Sequence, residues 1–231
     1  MKHNPPKTKC QFFSFSEAIL ITVVLIISFV ISIPVLTTAA DNASKTVCNA
    51  NMQKIGAAFA AYGKDNDDSV APNYLLKNKQ AHFWHDLIFQ YVGKNPSVFL
   101  CPAQNPLKQK FISHPTPFPA SYATSNYVGG HDRLLKHYPY RKIKEYPNPS
   151  MQLLALDATG NDGKSWFYSI AWWNIPRKNE ELGTKMMKKV HGDTVSVLLL
   201  DGHTDEASWS DLNPDIPDHL YSWNLAQNKN L

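Results

Sequence analysis

Between Ala18 and Leu36 the chain carries nineteen consecutive residues without a formal charge, dominated by Ile, Val and Leu. At 1.5 Å per residue such a run makes about 28 Å of helix, close to the hydrocarbon thickness of a bilayer. Residues 13–36 therefore read as a transmembrane helix. Two residues sit badly in lipid, Glu17 at the entrance and Pro34 near the exit. Whatever the segment does has to account for both.

Charge placement sets the expected orientation. The formal net charge of +4 comes from 23 basic and 19 acidic side chains. Lys2, Lys7 and Lys9 fall in the first twelve residues with no acid beside them, which leaves the remainder close to neutral. No basic face is implied, and nucleic acid is not an expected partner. Lysines ahead of an apolar run are retained in the cytoplasm. Residues 1–12 thus read as a cytoplasmic stub of a single-pass inner-membrane protein whose bulk lies outside. A cleaved secretory signal is the competing reading, because Thr37-Thr38-Ala39-Ala40 resembles a small-residue cleavage region. Against it, the run is long for a signal and Glu17 is misplaced in one.

In that topology Cys10 is a cytoplasmic thiol, while Cys48 and Cys101 lie where disulfides persist. A bridge between them would close a loop of about 54 residues, worth about 4 kcal/mol in chain entropy. Two buried, unpaired thiols are the alternative.

The apolar helix is expected to continue beyond the membrane. Residues 37–64 contain no proline and are rich in alanine. Cys48, Met52, Ile55, Phe59 and Tyr62 are spaced four, three, four and three, which makes one stripe, an amphipathic core face. Gly63 and Lys64 offer a stop. The result is a stem helix of about fifty residues, roughly 75 Å, with a kink or local unwinding expected at Pro34.

The sequence Phe-Ser-Phe-Ser-Glu at 13–17 before an apolar run resembles the N-terminal segment of type IV pilins and type II secretion pseudopilins. Aligning Phe13 with the first mature residue places Glu17 on the family's glutamate and Pro34 on the proline that interrupts many pilin helices. In that family the glutamate neutralises the N-terminal amine of a neighbouring subunit, a reason to keep a carboxylate near lipid. Phe12 stands where the prepilin peptidase recognises Gly, a departure that leaves cleavage and N-methylation at Phe13 open. Cys48-Asn-Ala-Asn-Met-Gln-Lys-Ile-Gly, the later Tyr62 and the acidic run at 65–68 resemble the pilin-like proteins of Planctomycetes, Verrucomicrobia and Lentisphaerae. Phe99-Leu100-Cys101-Pro102 is similar to that group's Cys-Pro element, which implies the Cys48–Cys101 disulfide. Ser121-Tyr122 and Asn126-Tyr127 continue the likeness. His191, nine residues, then Asp201-Gly202 matches the group's C-terminal signature.

Residues 65–231 are expected to form an external α+β head, rich in proline and loops. Asp65-Asn66-Asp67-Asp68 reads as a solvated turn, since it lacks the glycine and the following glutamate of a calcium loop. Trp84–Val92 predicts a short amphipathic helix, and 121–128 a short strand. Gln152–Asp157, Trp166–Trp173 and Thr194–Leu200 predict strands, with a turn at Asn161-Asp162-Gly163. Asp201-Gly202 predicts a two-residue hairpin returning along His203–Ala207. These strands would form a small antiparallel sheet covered by the helix stripe.

His191, Asp201 and His203 form the most chemical-looking group, and a metal there is the basis of an alternative reading as an anchored external enzyme or binding protein. A strand separates His191 from Asp201 by roughly 20 Å, however, so a structural role for His191 and a turn at Asp201-Gly202 are expected instead. No phosphate-cradling glycine loop, Gly-x-Ser-x-Gly or Cys-x-x-Cys occurs, so neither an enzyme nor a cofactor is expected. The resemblance implies a structural subunit or accessory of a type II secretion or pilus-like assembly. Its partners would be membrane lipid, its own copies or other subunits, and the secretion machinery.

Overall fold

A computed structural model describes residues 14–104, 120–132, 139–157, 169–170, 190–191, 194–208 and 211–212. The chain divides into two compact units, Met1–Asn42 and Ala43–Leu231. One helix, α1 (Phe15–Asp65), contributes to both.

In the first unit the described side chains of α1 are exposed, including Leu20, Leu25, Phe29 and Ile31. The helix contains a segment long and apolar enough to cross a membrane, with none of it buried. Glu17 lies in its first turn and accepts the Ser14 N–H at 2.8 Å. Pro34 lies inside the helix, and no unwinding accompanies it. The Thr37 and Thr38 hydroxyls both donate to the Pro34 carbonyl at 2.9 Å. Phe12 and Phe13 fall outside the described residues.

In the second unit the expected stripe is the core face of the helix. Cys48, Met52 and Ile55 are fully buried, Phe59 nearly so, and Tyr62 packs at the margin. Each large apolar side chain on this face contributes roughly 1.5–3 kcal/mol through burial. Their cover is a sheet of five strands, β3 (Tyr122–Ser125), β4 (Leu153–Asp157), β5 (Ser169–Ile170), β6 (Thr194–Leu199) and β7 (Thr204–Ser208), in the order β5-β3-β4-β6-β7. An α+β layout of helix and mainly antiparallel sheet is thus present.

Three details differ from expectation. The strand within the aromatic run is described only at Ser169–Ile170, and it pairs parallel with β3 rather than folding back on β4. The reason is that β3 and β6 occupy both edges of β4. The turn at 161–163 and the rest of the run lie outside the described residues. Second, the β6–β7 connection is a three-residue loop, not a two-residue one. Leu199 N–H donates to His203 O at 2.8 Å, Gly202 N–H donates to Leu199 O at 3.0 Å, and Gly202 has φ +90°. This is the pattern of a tight turn closed by a left-handed residue, a position suited to glycine. Third, a hairpin of β1 (Tyr74–Lys77) and β2 (Gln80–Phe83) precedes the short helix α2 (Trp84–Ile88). Its turn puts Asn78 and Lys79 at φ 52° and 63°.

The acidic run ends α1 as a structural turn. Asp67 pairs with Lys142, the Asp68 carboxylate accepts the Lys144 N–H at 3.1 Å, and Asp65 accepts the Tyr91 hydroxyl at 2.9 Å. Its carboxylates are thus drawn to different partners.

The helix is fastened along the β6–β7 hairpin at several levels. Lys45 Nζ lies 2.5 Å from Glu206 and 3.2 Å from the Thr194 hydroxyl, and Gln53 donates to the Thr204 hydroxyl at 3.4 Å. At Gly56 the backbones meet. A Cβ there would stand 3.2 Å from Gly202 Cα and 2.9 Å from Leu198 Cδ1. Gly56→Val is therefore expected to destabilise the protein by about 1–3 kcal/mol through overpacking. Chemical denaturation of the full chain in detergent measures this; an unchanged midpoint would show that the helix and turn are not in close contact.

Candidate functional site

Four donor side chains from four places in the chain converge inside the second unit. Cys48 comes from the buried face of α1, and Cys101 follows the 3-10 turn at Pro96–Phe99. Asp157 closes β4, and His191 stands just before β6, where it bridges to Thr194. Their sulfur, nitrogen and oxygen atoms all lie within 4.8 Å of one another. Cys48 Sγ donates to Asp157 Oδ1 at 2.9 Å, Cys101 Sγ lies 3.3 Å from His191 Nε2, and the same Nε2 lies 3.5 Å from Asp157 Oδ2.

Local structure explains how each is held. Asp157 ends a strand buried at every position, and its Oδ2 also accepts the Ser196 N–H from β6 at 3.1 Å. Cys101 is positioned from α1, because Asn51, one turn after Cys48, donates to Leu100 O at 3.0 Å. On its other side Gln104 N–H donates to Cys101 O at 3.0 Å. The motif from Cys48 to Gly56 thus supplies a cluster member, the clamp on Cys101 and the close approach to Gly202.

The electrostatics are those of groups buried together. Burial, reinforced by negative charge on Cys101, pushes the Asp157 carboxyl up to about 7. Contact with Cys48 lowers the Cys101 thiol, and with His191 also favouring the thiolate it falls to about 5 despite burial. The Cys48 thiol moves the other way, held protonated first by its contact with Cys101, then by burial and the Asp157 charge. Burial acts to lower His191, but the hydrogen bond to Cys101 and the Asp157 charge outweigh it, so the imidazole is shifted up. Tyr122 of β3 lies beside Cys48, where burial and then the neighbouring negative charges keep its phenol protonated.

The geometry is not that of a nucleophilic triad. There, the base uses one ring nitrogen toward the nucleophile and the other toward the orienting carboxylate. Here one nitrogen, Nε2, faces both Cys101 and Asp157. Cys48, Cys101 and Asp157 are also at most 1% exposed, which leaves a substrate no approach. Two open surface clefts, one lined by Tyr62, Leu75 and Tyr91 and one by Lys79, Gln80 and Asp86, include none of the four residues.

Among the residues singled out from sequence, Cys48, Cys101 and His191 meet, but Asp201 and His203 do not join them. Asp201 and His203 sit in the exposed loop at the far end of β6, where Asp201 accepts the His203 N–H at 2.9 Å. A metal shared by His191, Asp201 and His203 is ruled out by the length of that strand. The two cysteines expected to pair do meet: Cys48 and Cys101 lie within 4.8 Å of one another as unbridged thiols, and each has a further neighbour, Asp157 for Cys48 and His191 for Cys101. Asp157 was not singled out from sequence. Its signal was a charged residue closing the wholly apolar strand Leu-Leu-Ala-Leu.

Comparison with family models, with curated proteins and with solved structures finds no match for this chain. Its role has to be read from its own residues.

Removing the Asn51 clamp by Asn51→Ala is expected to cost about 1 kcal/mol, the net value of one partly buried hydrogen bond. Gln53→Ala, whose 3.4 Å bond is exposed, should stay within about 0.5 kcal/mol of the parent. Parallel urea titrations check the contrast, and equal effects would show that Asn51 does not clamp Cys101.

Proposed function

We propose that this protein is a membrane-anchored structural subunit or accessory of a pilin-like assembly of the type II secretion or type IV pilus kind. One observation carries the reading: a single helix has an apolar half fully exposed and a following half that supplies the core of a folded head. An exposed stretch of this length and composition requires lipid or other apolar helices around it. The resemblance of residues 13–17 to a pilin N-terminus, with Glu17 and Pro34 in one register, favours neighbouring subunits as well as lipid. Glu17 would then meet a positive partner in the assembly, and the stub with Lys2, Lys7 and Lys9 would remain in the cytoplasm. The head would project from the outer face of the inner membrane. The amine partner that the family supplies to Glu17 exists only where Phe13 is the mature N-terminus; with the stub retained, the role is that of a membrane-anchored accessory.

The test is photo-crosslinking in the native membrane from Leu25 or Phe29, both on the exposed half of α1. Crosslinks to copies of this chain or to secretion components are expected, weakened by Glu17→Ala. Crosslinks to lipid alone, unchanged by Glu17→Ala, would reduce the helix to a plain anchor. Mass spectrometry of the same sample reads the mature N-terminus.

A further inference from the structure

We propose that Cys48, Cys101, Asp157 and His191 are the four ligands of a structural zinc ion that locks α1 to the sheet of the head. The donor set, two thiolates, one imidazole and one carboxylate, is of the kind zinc takes in closed tetrahedral sites. With bonds of about 2.3 Å to sulfur and 2.0–2.2 Å to nitrogen and oxygen, neighbouring ligand atoms in such a site stand roughly 3.2–3.8 Å apart. Cys101 Sγ–His191 Nε2 at 3.3 Å and His191 Nε2–Asp157 Oδ2 at 3.5 Å match those edges; Cys48 Sγ lies 2.9 Å from the other carboxylate oxygen, Oδ1, and all four donors fit within 4.8 Å of one another. All four donors are supplied by the chain and lie away from solvent, which leaves no open position and makes the site structural rather than catalytic.

A catalytic triad, a disulfide and a bare hydrogen-bonded network each leave part of the cluster without a use. The triad fails because one histidine nitrogen faces both partners. A disulfide would use two of the four groups and would cost Asp157 its Cys48 donor, leaving it the Ser196 N–H and His191. A purely hydrogen-bonded network explains the short contacts but not why two thiols, a carboxylate and an imidazole are assembled where each is expensive to bury. A divalent cation gives every one of them a use. The surroundings suit it too: Ser196 N–H steadies the Asp157 carboxylate and Tyr122 stands beside the Cys48 sulfur. Binding releases to solvent whatever protons the four donor atoms still carry, that of the Cys48 thiol among them, and changes no oxidation state. The inference concerns the head and holds whether or not the stem assembles.

The full chain, extracted in mild detergent without reducing agent and dialysed against metal-free buffer, should retain about one zinc per chain by mass spectrometry of the elements. His191→Ala and Cys101→Ser should each weaken zinc binding by more than about 100-fold, beyond the loss typical of an outer-shell change. His203→Ala and Asp201→Asn should leave it unchanged. Because a ligand variant could misfold, the decisive arm uses the unaltered sequence: stripped of zinc and titrated with cobalt(II), it should develop sulfur-to-metal charge transfer and tetrahedral d–d absorption. A Cys48–Cys101 disulfide in the extracted protein overturns the proposal. So does the absence of these cobalt bands with both thiols reduced, or zinc retained equally by His191→Ala and Cys101→Ser.

Discussion

A carboxylate at the centre of an apolar core is the constraint on which the head is built. Asp157 is 1% exposed, at the end of a strand otherwise made of Leu and Ala. Leaving it without partners would cost several kcal/mol, so the fold has to bring partners to it. They arrive from a helix, a loop after a 3-10 turn, and the start and body of the neighbouring strand. Satisfying one side chain therefore ties together elements that are 109, 56 and 34 residues away from it in sequence, at Cys48, Cys101 and His191. Nonspecific apolar packing of α1 on the sheet would tolerate sliding or rotation of the helix. The cluster does not, because its contacts are directional and short.

The same logic gives physical meaning to the spacing from His191 to Asp201-Gly202. The nine residues between them include one whole strand, β6, and each end of that strand meets α1 differently. At one end His191 joins Cys48 in the polar cluster; at the other the Gly202 backbone rests against Gly56. Cys48 and Gly56 are eight residues apart, about 12 Å along the helix. An insertion within β6 would misplace one attachment or the other. The Cys48–Gly56 segment and the His191–Gly202 segment are thus two halves of one docking arrangement, with Asn51 and Lys45 fixing what lies beside it.

Much of this fold was legible from residues alone where one period or one composition dominates. The four-three spacing from Cys48 to Tyr62 identified the buried face, and the apolar runs at 152–157 and 194–200 identified central strands. The β1–β2 hairpin was not legible, because its turn is Asn78-Lys79 and lacks the glycine that normally announces two left-handed residues. The position of β5 was not legible either, since adjacency in sequence suggested β4 while both neighbours of β4 were already taken. At the site, sequence reasoning reached Cys48, Cys101 and His191 but divided them between a disulfide and a strand-separated metal set. What it lacked was Asp157. A single acid at a strand end has no periodic signature, and only the three-dimensional convergence gives it a role.

The central claim is that Cys48, Cys101, Asp157 and His191 share one cation that joins helix to sheet. X-ray absorption at the zinc edge of the full chain, purified without added metal or reductant, addresses it most directly. A shell of two sulfurs at about 2.3 Å and two lighter atoms at about 2.0–2.2 Å is predicted. An absorption edge with only light-atom neighbours, or no zinc signal together with a sulfur–sulfur bond of about 2.05 Å between the two cysteines, would contradict it.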